Sequence, residues 1–236
     1  MARHHWKVFD DKSPRLDQFG VLFIAALVAV VALSMVDLSP TAADEVPWGS
    51  LTVSGYVVIL FMLSMSAAGV AQRWRRGANL ALTIGYLATM FITVTTYEPA
   101  RGDNFRPSAL WALLAVLVPI AVVRRIVLQP EVTIRTLLGA IAAYLLLAFS
   151  FFMIFLEIDA YEAGPFFEEE VGTTDFMYFS LVTITTLGYG DFSPTTNTGQ
   201  LASVAEAVIG QIFLVTLVAA LVSRFAAKPR TRPDAD

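Results

Sequence analysis

The sequence has 236 residues, of which 56% are hydrophobic and only 15% are charged, and its formal net charge is −4. Average soluble domains carry about 25% charged residues, so this composition argues against an ordinary soluble protein. The chain contains no cysteine, which excludes disulfides, thiol catalysis and cysteine-based metal sites.

Long apolar runs set the predicted fold class. A helix needs about 20 apolar residues to cross a bilayer, and each run is that long or nearly so. The runs are 19–36, 51–71, 78–97, 109–123, 136–156 and 198–222. The first run exceeds the roughly 7–15 apolar residues of a signal peptide, so we expect a retained helix. The runs predict an all-α polytopic membrane protein.

Basic residues predict how the helices are oriented. Fourteen of the 16 Lys and Arg residues fall in the N-terminal tail 1–18, in the second and fourth connections, and in the C-terminal segment 224–236. Only Arg101 and Arg106 fall on the other side. The positive-inside rule then places both termini in the cytoplasm. Thirteen of the 20 acidic residues lie on the outer side, where they would attract cations.

The first four runs form a predicted transmembrane domain, residues 19–128. Voltage sensing needs several charges inside the membrane, because each charge contributes only about 2.3 kcal/mol per 100 mV. The fourth run carries no Lys or Arg, and Arg124 and Arg125 follow at its cytoplasmic end. We therefore predict a four-helix domain without gating charges.

Catalytic motifs are not found in the sequence. There is no nucleophile–base set, phosphate-binding loop or dinucleotide fingerprint, so we predict no enzymatic activity, no organic cofactor and no nucleic-acid partner. The segment 73–76, Arg-Trp-Arg-Arg, is explained equally well by contact with anionic membrane lipids and by anchoring of the topology.

Residues 129–227 form a different predicted module. It consists of an outer helix 135–158, an acidic turret 159–173, a short pore helix 174–186, a non-helical stretch 186–191 and an inner helix 198–226. Thr173 or Thr174, with Asp175, offers N-cap chemistry. At 1.5 Å per residue the short helix covers only about half a bilayer, so we expect it to enter and return from the outer side.

The stretch 186–191 reads Thr-Leu-Gly-Tyr-Gly-Asp. Its two glycines can adopt φ values closed to other residues, which allows successive carbonyls to point the same way. Non-helical backbone at membrane depth must be buried in protein or line a water-filled path. A row of carbonyls repeated around an axis can replace the hydration shell of a cation.

Residues 185–191, TTLGYGD, resemble the selectivity filter of potassium channels, T-V-G-Y-G-D, with Leu187 in the valine position. The resemblance covers residues 135–227. It implies potassium as the permeant ion and a homotetramer, because one chain supplies one of four filter loops. It also implies an ion-binding set and a supporting set. The ion-binding set comprises Thr186, Leu187, Gly188, Tyr189 and, at the outer mouth, Gly190. The supporting set comprises Asp191, Tyr178, Phe179 and Thr185, with a hydrogen bond between Tyr178 and Asp191.

The inner helix offers a second group of candidate residues. Gly210 stands where the resemblance places a hinge glycine, but close helix packing explains it equally well. Gln211, Leu214 and Val218 are candidate cavity or gate residues. Glu206, an acid within a predicted span, indicates either a functional group or simple support of the filter.

These observations together predict a potassium-selective, multi-pass channel of the cell membrane that is not strongly voltage-gated. Nine residues follow residue 227, so no cytoplasmic regulatory domain is expected there. Two alternatives remain open. One is a weakly selective cation channel, and the other is a transporter or structural membrane protein whose glycine stretch is a packed turn. A transporter would be expected to show paired broken helices, whereas one re-entrant segment is predicted here.

Overall fold

The computed structural model describes residues 18–35, 48–67, 70–96, 109–128, 133–162, 164–169 and 171–226. These residues form seven α-helices: α1 Gln18–Met35, α2 Trp48–Ala67, α3 Gln72–Thr96, α4 Ala109–Val127, α5 Ile134–Tyr161, α6 Thr173–Ile184 and α7 Asn197–Ala226. The predicted tail 228–236, nearly all of the predicted tail 1–18, and Arg101 and Arg106 lie outside the described residues.

Most helix bounds agree with the predicted runs within a few residues, but α3 and α4 extend further. α3 begins at Gln72 rather than at residue 78, so the segment 73–76 is helical. Arginine is a good helix former, and its side chain can reach outward from an apolar surface. Arg75 Nη1 donates to Ser66 Oγ of α2 at 2.8 Å. α4 runs on to Val127, which brings Arg124 and Arg125 into its last turn, where positive charge suits the helix dipole.

The apolar helices support a membrane protein. Among the described residues, Ile134–Tyr161 and Asn197–Leu217 are long and apolar enough to cross a bilayer, and Phe19–Met35 and Leu51–Ala67 are shorter apolar helices. Large apolar side chains such as Phe91 and Ile24 stand more than half exposed on the outer surfaces. Large exposed apolar surfaces of this kind mark contact with lipid or with another protein.

Helix α5 lies at the centre of the packing. α1 and α4 pack on α5, α2 packs on α1 and α4, and α3 packs on α2; α6 and α7 pack on α5 and on each other. Close approach is visible at Gly139 of α5, where an added Cβ would lie 2.8 Å from Cδ1 of Phe19 of α1. The first four helices are therefore attached to the hairpin that follows them through α1 and α4, and α1 also contacts α6.

A polar contact joins α4 to α5 inside the apolar core. Pro119 of α4 has no N–H, so the Ala115 carbonyl one turn earlier loses its helical partner. Ser150 of α5, which is buried, donates to that Ala115 carbonyl at 2.8 Å and also lies 2.7 Å from the Leu146 carbonyl of its own helix. A neighbouring serine commonly satisfies a carbonyl freed by proline in apolar surroundings.

Candidate functional site

Helix α6 is the short helix of the predicted re-entrant segment. Its 12 residues span about 18 Å, roughly half of a 30 Å hydrocarbon core. Its N-cap is Gly172, in extended conformation, so the predicted N-cap at Thr173 or Thr174 is wrong. Asp175 instead reaches back, and its Oδ2 accepts from the Gly172 N–H at 3.0 Å. A carboxylate three residues into a helix often caps it in this way.

Helix α6 ends at Ile184, two residues before the predicted end at residue 186. The reason is Thr186, whose φ of +58° is incompatible with continuing a right-handed helix. Thr185 lies at the C-cap, and its Oγ1 donates to the Leu181 carbonyl at 2.6 Å. Thr186 N donates to the Thr183 carbonyl at 2.9 Å. These bonds close the last turn immediately before the non-helical stretch.

Left-handed backbone recurs at every second residue of that stretch. The φ angles are +58° at Thr186, +56° at Gly188 and +79° at Gly190. Glycine adopts such angles readily, whereas a residue with a Cβ loses about 1–2 kcal/mol. Among the described residues, Thr186 is the one non-glycine residue with positive φ. Alternation between left-handed and right-handed backbone conformations lets consecutive carbonyls face one side of the chain, as a column of ion-coordinating oxygens requires.

Asp191 follows the stretch and is held by two hydrogen bonds. Tyr178 Oη donates to its Oδ2 at 2.7 Å, which is the pairing expected from the sequence, and the Phe192 N–H donates to its Oδ1 at 3.1 Å. The bond from Tyr178 is the main cause that lowers the pKa of Asp191, because it stabilises the ionised form. The carboxylate is therefore charged at neutral pH and tied to the pore helix.

An aromatic cluster behind α6 was not predicted. Phe166 and Phe167 lie in the turret, which the sequence suggested to be acidic and polar, yet both are buried. They pack against Phe176 and Phe179 of α6, with ring centroids 4.9 Å apart for Phe167 and Phe176 and 5.2 Å apart for Phe167 and Phe179. Phe192 joins the cluster from the far side of the stretch. The signal in the sequence was the adjacent pair of phenylalanines within a polar loop.

Backbone contacts attach this turret to the chain on both sides of the cluster. Asp159 Oδ1, near the end of α5, accepts from the Phe166 N–H at 2.9 Å. Thr195 N donates to the Phe166 carbonyl at 2.9 Å, and Thr195 Oγ1 donates to the Pro165 carbonyl at 2.7 Å. The turret is thus fixed against the segment that leaves the stretch.

A pocket of about 310 Å³ lies between the turret and the end of the stretch. Three acids, Glu168, Glu169 and Asp191, contribute to its lining, together with Gly190 and Phe192. Carboxylates around a concave mouth raise the local concentration of cations. The outer end of the stretch therefore has a cation-attracting environment.

The inner-helix candidates divide between two faces of α7. Gly210 packs against the end of α6, where an added Cβ would lie 2.6 Å from Ile184 Cγ1 and 3.0 Å from the Ile184 carbonyl oxygen. This contact favours the packing interpretation of Gly210, while its use as a hinge stays a prediction. Gln211 and Leu214 are exposed, and the side chain of Val218 lies outside the described residues. Glu206 is fully buried, on the face that contacts α6.

Comparison with known families agrees with this geometry. A protein-family model described as "Ion channel" matches residues 139–227, which include most of α5 and all of α6, the stretch and α7. No curated protein matches the chain. The family match supports an ion-channel function and, together with the apolar helices, a membrane location. It also favours transport over enzymatic catalysis.

Proposed function

We propose that the protein is a potassium-selective ion channel that functions as a homotetramer in the cell membrane. The observation that carries the proposal is the left-handed backbone at Thr186, Gly188 and Gly190, directly after a half-length helix. In this proposal the oxygens of residues 186–189 bind dehydrated potassium, and Gly190 shapes the outer mouth. Potassium is the transported substrate and moves passively down its gradient.

Electrostatics at both ends of the stretch favour a cation. The carboxyl end of α6 lies at Ile184, and a helix carries partial negative charge at that end. At the outer end, the carboxylate of Asp191 and the acids of the pocket add negative charge. A cation in the stretch would therefore meet favourable charge on entry from either side.

Exposure of the stretch supports assembly from several chains. In the single chain Leu187 is 60% exposed and Tyr189 is 67% exposed, and residues 185–191 are all exposed. Non-helical backbone cannot face lipid, because its polar groups would be left without hydrogen bonds. Other copies of the chain around a central water-filled axis would solve this problem, and four loops form a filter of this kind.

The proposal also assigns an orientation and a gating class. α1–α4 form the N-terminal transmembrane domain, α5–α7 form the pore, and both termini are cytoplasmic by the positive-inside rule. The helix α4 carries basic residues in its last turn and no others, so steep voltage gating is not expected. Lipids surround the assembly.

The test measures ion flux into liposomes that contain the purified full-length protein. Potassium flux should greatly exceed sodium flux under matched gradients. Gly188→Ala should abolish selective flux, because alanine at φ +56° is strained. Gly85→Ala is the matched control, since the space around Gly85 is open, and it should leave flux unchanged.

Three outcomes of the flux measurements would overturn the proposal. Equal fluxes of potassium and sodium would indicate a weakly selective cation pore. Absence of flux from folded protein would indicate a transporter or a structural protein. Retained selectivity in Gly188→Ala would mean that the stretch is not the filter. Chemical cross-linking in the liposomes should give a ladder that ends at four chains, and an end at two or three would refute the tetramer.

A further inference from the structure

Two layers of contacts hold the pore helix α6 between α5 and α7. The inner layer consists of Tyr144, Ile184 and Gly210: the Tyr144 hydroxyl donates to the Ile184 carbonyl at 2.8 Å, and Gly210 packs on Ile184. The outer layer lies four residues away on each helix and consists of Ala148, Ser180 and Glu206. Residues four apart share one helix face, so each helix uses a single face for both layers.

The outer layer contains a chain of oxygen atoms at hydrogen-bond distance. Ser180 Oγ lies 2.6 Å from Glu206 Oε1 and 2.8 Å from the Ala148 carbonyl oxygen. A serine hydroxyl has one hydrogen to donate, and the Ala148 carbonyl can only accept. If Glu206 carries a proton on Oε1, that proton goes to Ser180 Oγ and the serine proton goes to Ala148. If Glu206 is ionised, its carboxylate competes with Ala148 for a single hydrogen.

The surroundings of Glu206 also favour the neutral acid. Its side chain is fully buried, and its Oε2 has no hydrogen-bond partner among the described residues. A buried charge needs a counter-ion or several hydrogen bonds. The sequence has no Lys, Arg or His between Arg135 and Arg224, and Arg224 is 18 residues along α7, about 27 Å away. The titratable group that faces Glu206 from α5 is Tyr144, which is itself an acid.

We propose that Glu206 is a neutral carboxylic acid that positions the pore helix by donating its proton to Ser180. The resulting chain, Glu206 to Ser180 to the Ala148 carbonyl, ties α7 to α6 and α6 to α5. Ser180 lies on the same helix face as Ile184, and Ile184 is two residues before the glycine stretch. The hydrogen-bond chain therefore sets the position at which the filter begins. The assignment of a filter rests on the proposed function, but the protonated acid and its hydrogen bonds do not.

The first experiment detects the proton directly and needs no conduction. Infrared spectra of wild-type protein and Glu206→Gln are recorded in lipid at neutral pH, and the difference isolates the carboxyl group of Glu206. We expect the carbonyl stretch of a protonated acid in the wild type and its loss in Glu206→Gln. A carboxylate stretch in its place would overturn the proposal.

The second experiment tests positioning through rescue by a conservative variant. Glutamine has a neutral amide that can donate to Ser180 Oγ, whereas leucine has a similar size and no donor. Glu206→Gln should keep the potassium-to-sodium flux ratio within about twofold, and Glu206→Leu should lower the ratio at least tenfold. Ser180→Ala should lower the ratio to a similar extent, with little additional loss in the double variant Ser180→Ala, Glu206→Leu.

The two experiments separate the possible failures. If the wild type conducts no ions but shows the protonated band, the proposed function fails and the hydrogen-bond chain stands. A selectivity loss in Glu206→Gln equal to that in Glu206→Leu would overturn the neutral positioning role. If Glu206→Leu does not fold, the Glu206→Gln flux ratio and the infrared band still decide the question.

Discussion

The contact between Ser150 and the Ala115 carbonyl provides the sharpest test of how the first four helices are attached. Ser150→Ala removes the hydroxyl that satisfies the carbonyl freed by Pro119. The Leu146 carbonyl lies 2.7 Å from the same hydroxyl, but that carbonyl remains within the hydrogen-bond ladder of α5. The variant should therefore destabilise the protein mainly by leaving the Ala115 carbonyl buried without a partner.

The expected cost is about 1 kcal/mol. A buried acceptor left without a partner costs about 1–3 kcal/mol in soluble proteins, whereas side-chain hydrogen bonds in a membrane protein average about 0.6 kcal/mol and reach about 1.7. Pro119→Ala restores an N–H that can bond to the Ala115 carbonyl within α4. In that background Ser150→Ala should cost about 0.5 kcal/mol or less, so the two sites should show a measurable coupling energy.

Equilibrium unfolding in mixed detergent micelles, followed by circular dichroism, measures the four free energies of this double-mutant cycle. Ser64→Ala is the matched control, because Ser64 is equally buried but donates only to the Phe61 carbonyl of its own helix, at 2.8 Å. The control should change stability by a few tenths of a kcal/mol. An equal cost of Ser150→Ala with and without Pro119, or a cost no greater than that of Ser64→Ala, would refute the role of the hydrogen bond to the Ala115 carbonyl.

Two further predictions concern packing and pH. Gly139→Ala should destabilise the protein by about 1–3 kcal/mol relative to Gly85→Ala in the same unfolding assay. The new Cβ at Gly139 would lie 2.8 Å from Phe19, whereas the space around Gly85 is open. Equal stabilities of the two variants would count against the contact between α1 and α5. Tyr178→Phe should raise the pKa of Asp191 toward its ordinary value of 3.8. Because the hydrogen bond from Tyr178 lowers the pKa of Asp191, the stability it adds is complete above the pKa of the unfolded chain and is lost as pH falls below about 4. Carbon-13 NMR titration of the labelled Asp191 carboxyl measures the pKa in both proteins. An unchanged pKa in Tyr178→Phe would contradict the prediction.

Local sequence signals were enough to predict the helices and the glycine stretch. Long apolar runs place each helix and most of its bounds, but α3 begins at Gln72 and α4 ends at Val127, because arginine can continue a helix beyond its apolar run. The two glycines mark where α6 must stop, although the end came two residues earlier because Thr186 itself adopts positive φ. A non-glycine residue gives no such warning, since left-handed φ is rare outside glycine. The resemblance to a potassium-channel filter supplied the pairing of Tyr178 with Asp191, which the hydrogen bond matches.

Long-range contacts were beyond prediction from the sequence. Phe166 and Phe167 stand in a loop among acids, and their burial depends on rings from α5, α6 and the segment after the stretch. Glu206 could be recognised as unusual, but its partner Ser180 is 26 positions earlier. Residues so far apart meet only through the packing of α6 on α7, which no local pattern specifies.

Helix α5 is one element through which the first four helices can act on the pore helix, beside the direct packing of α1 on α6. Ser150 faces α4 and the Ala148 carbonyl faces α6, and residues two apart on a helix point about 200° apart. Two polar contacts on opposite sides of one helical turn therefore join α4 to α6 through α5. A tilt of α4 that moved the Ala115 carbonyl would displace α5 at the same level that holds Ser180, and hence the start of the glycine stretch.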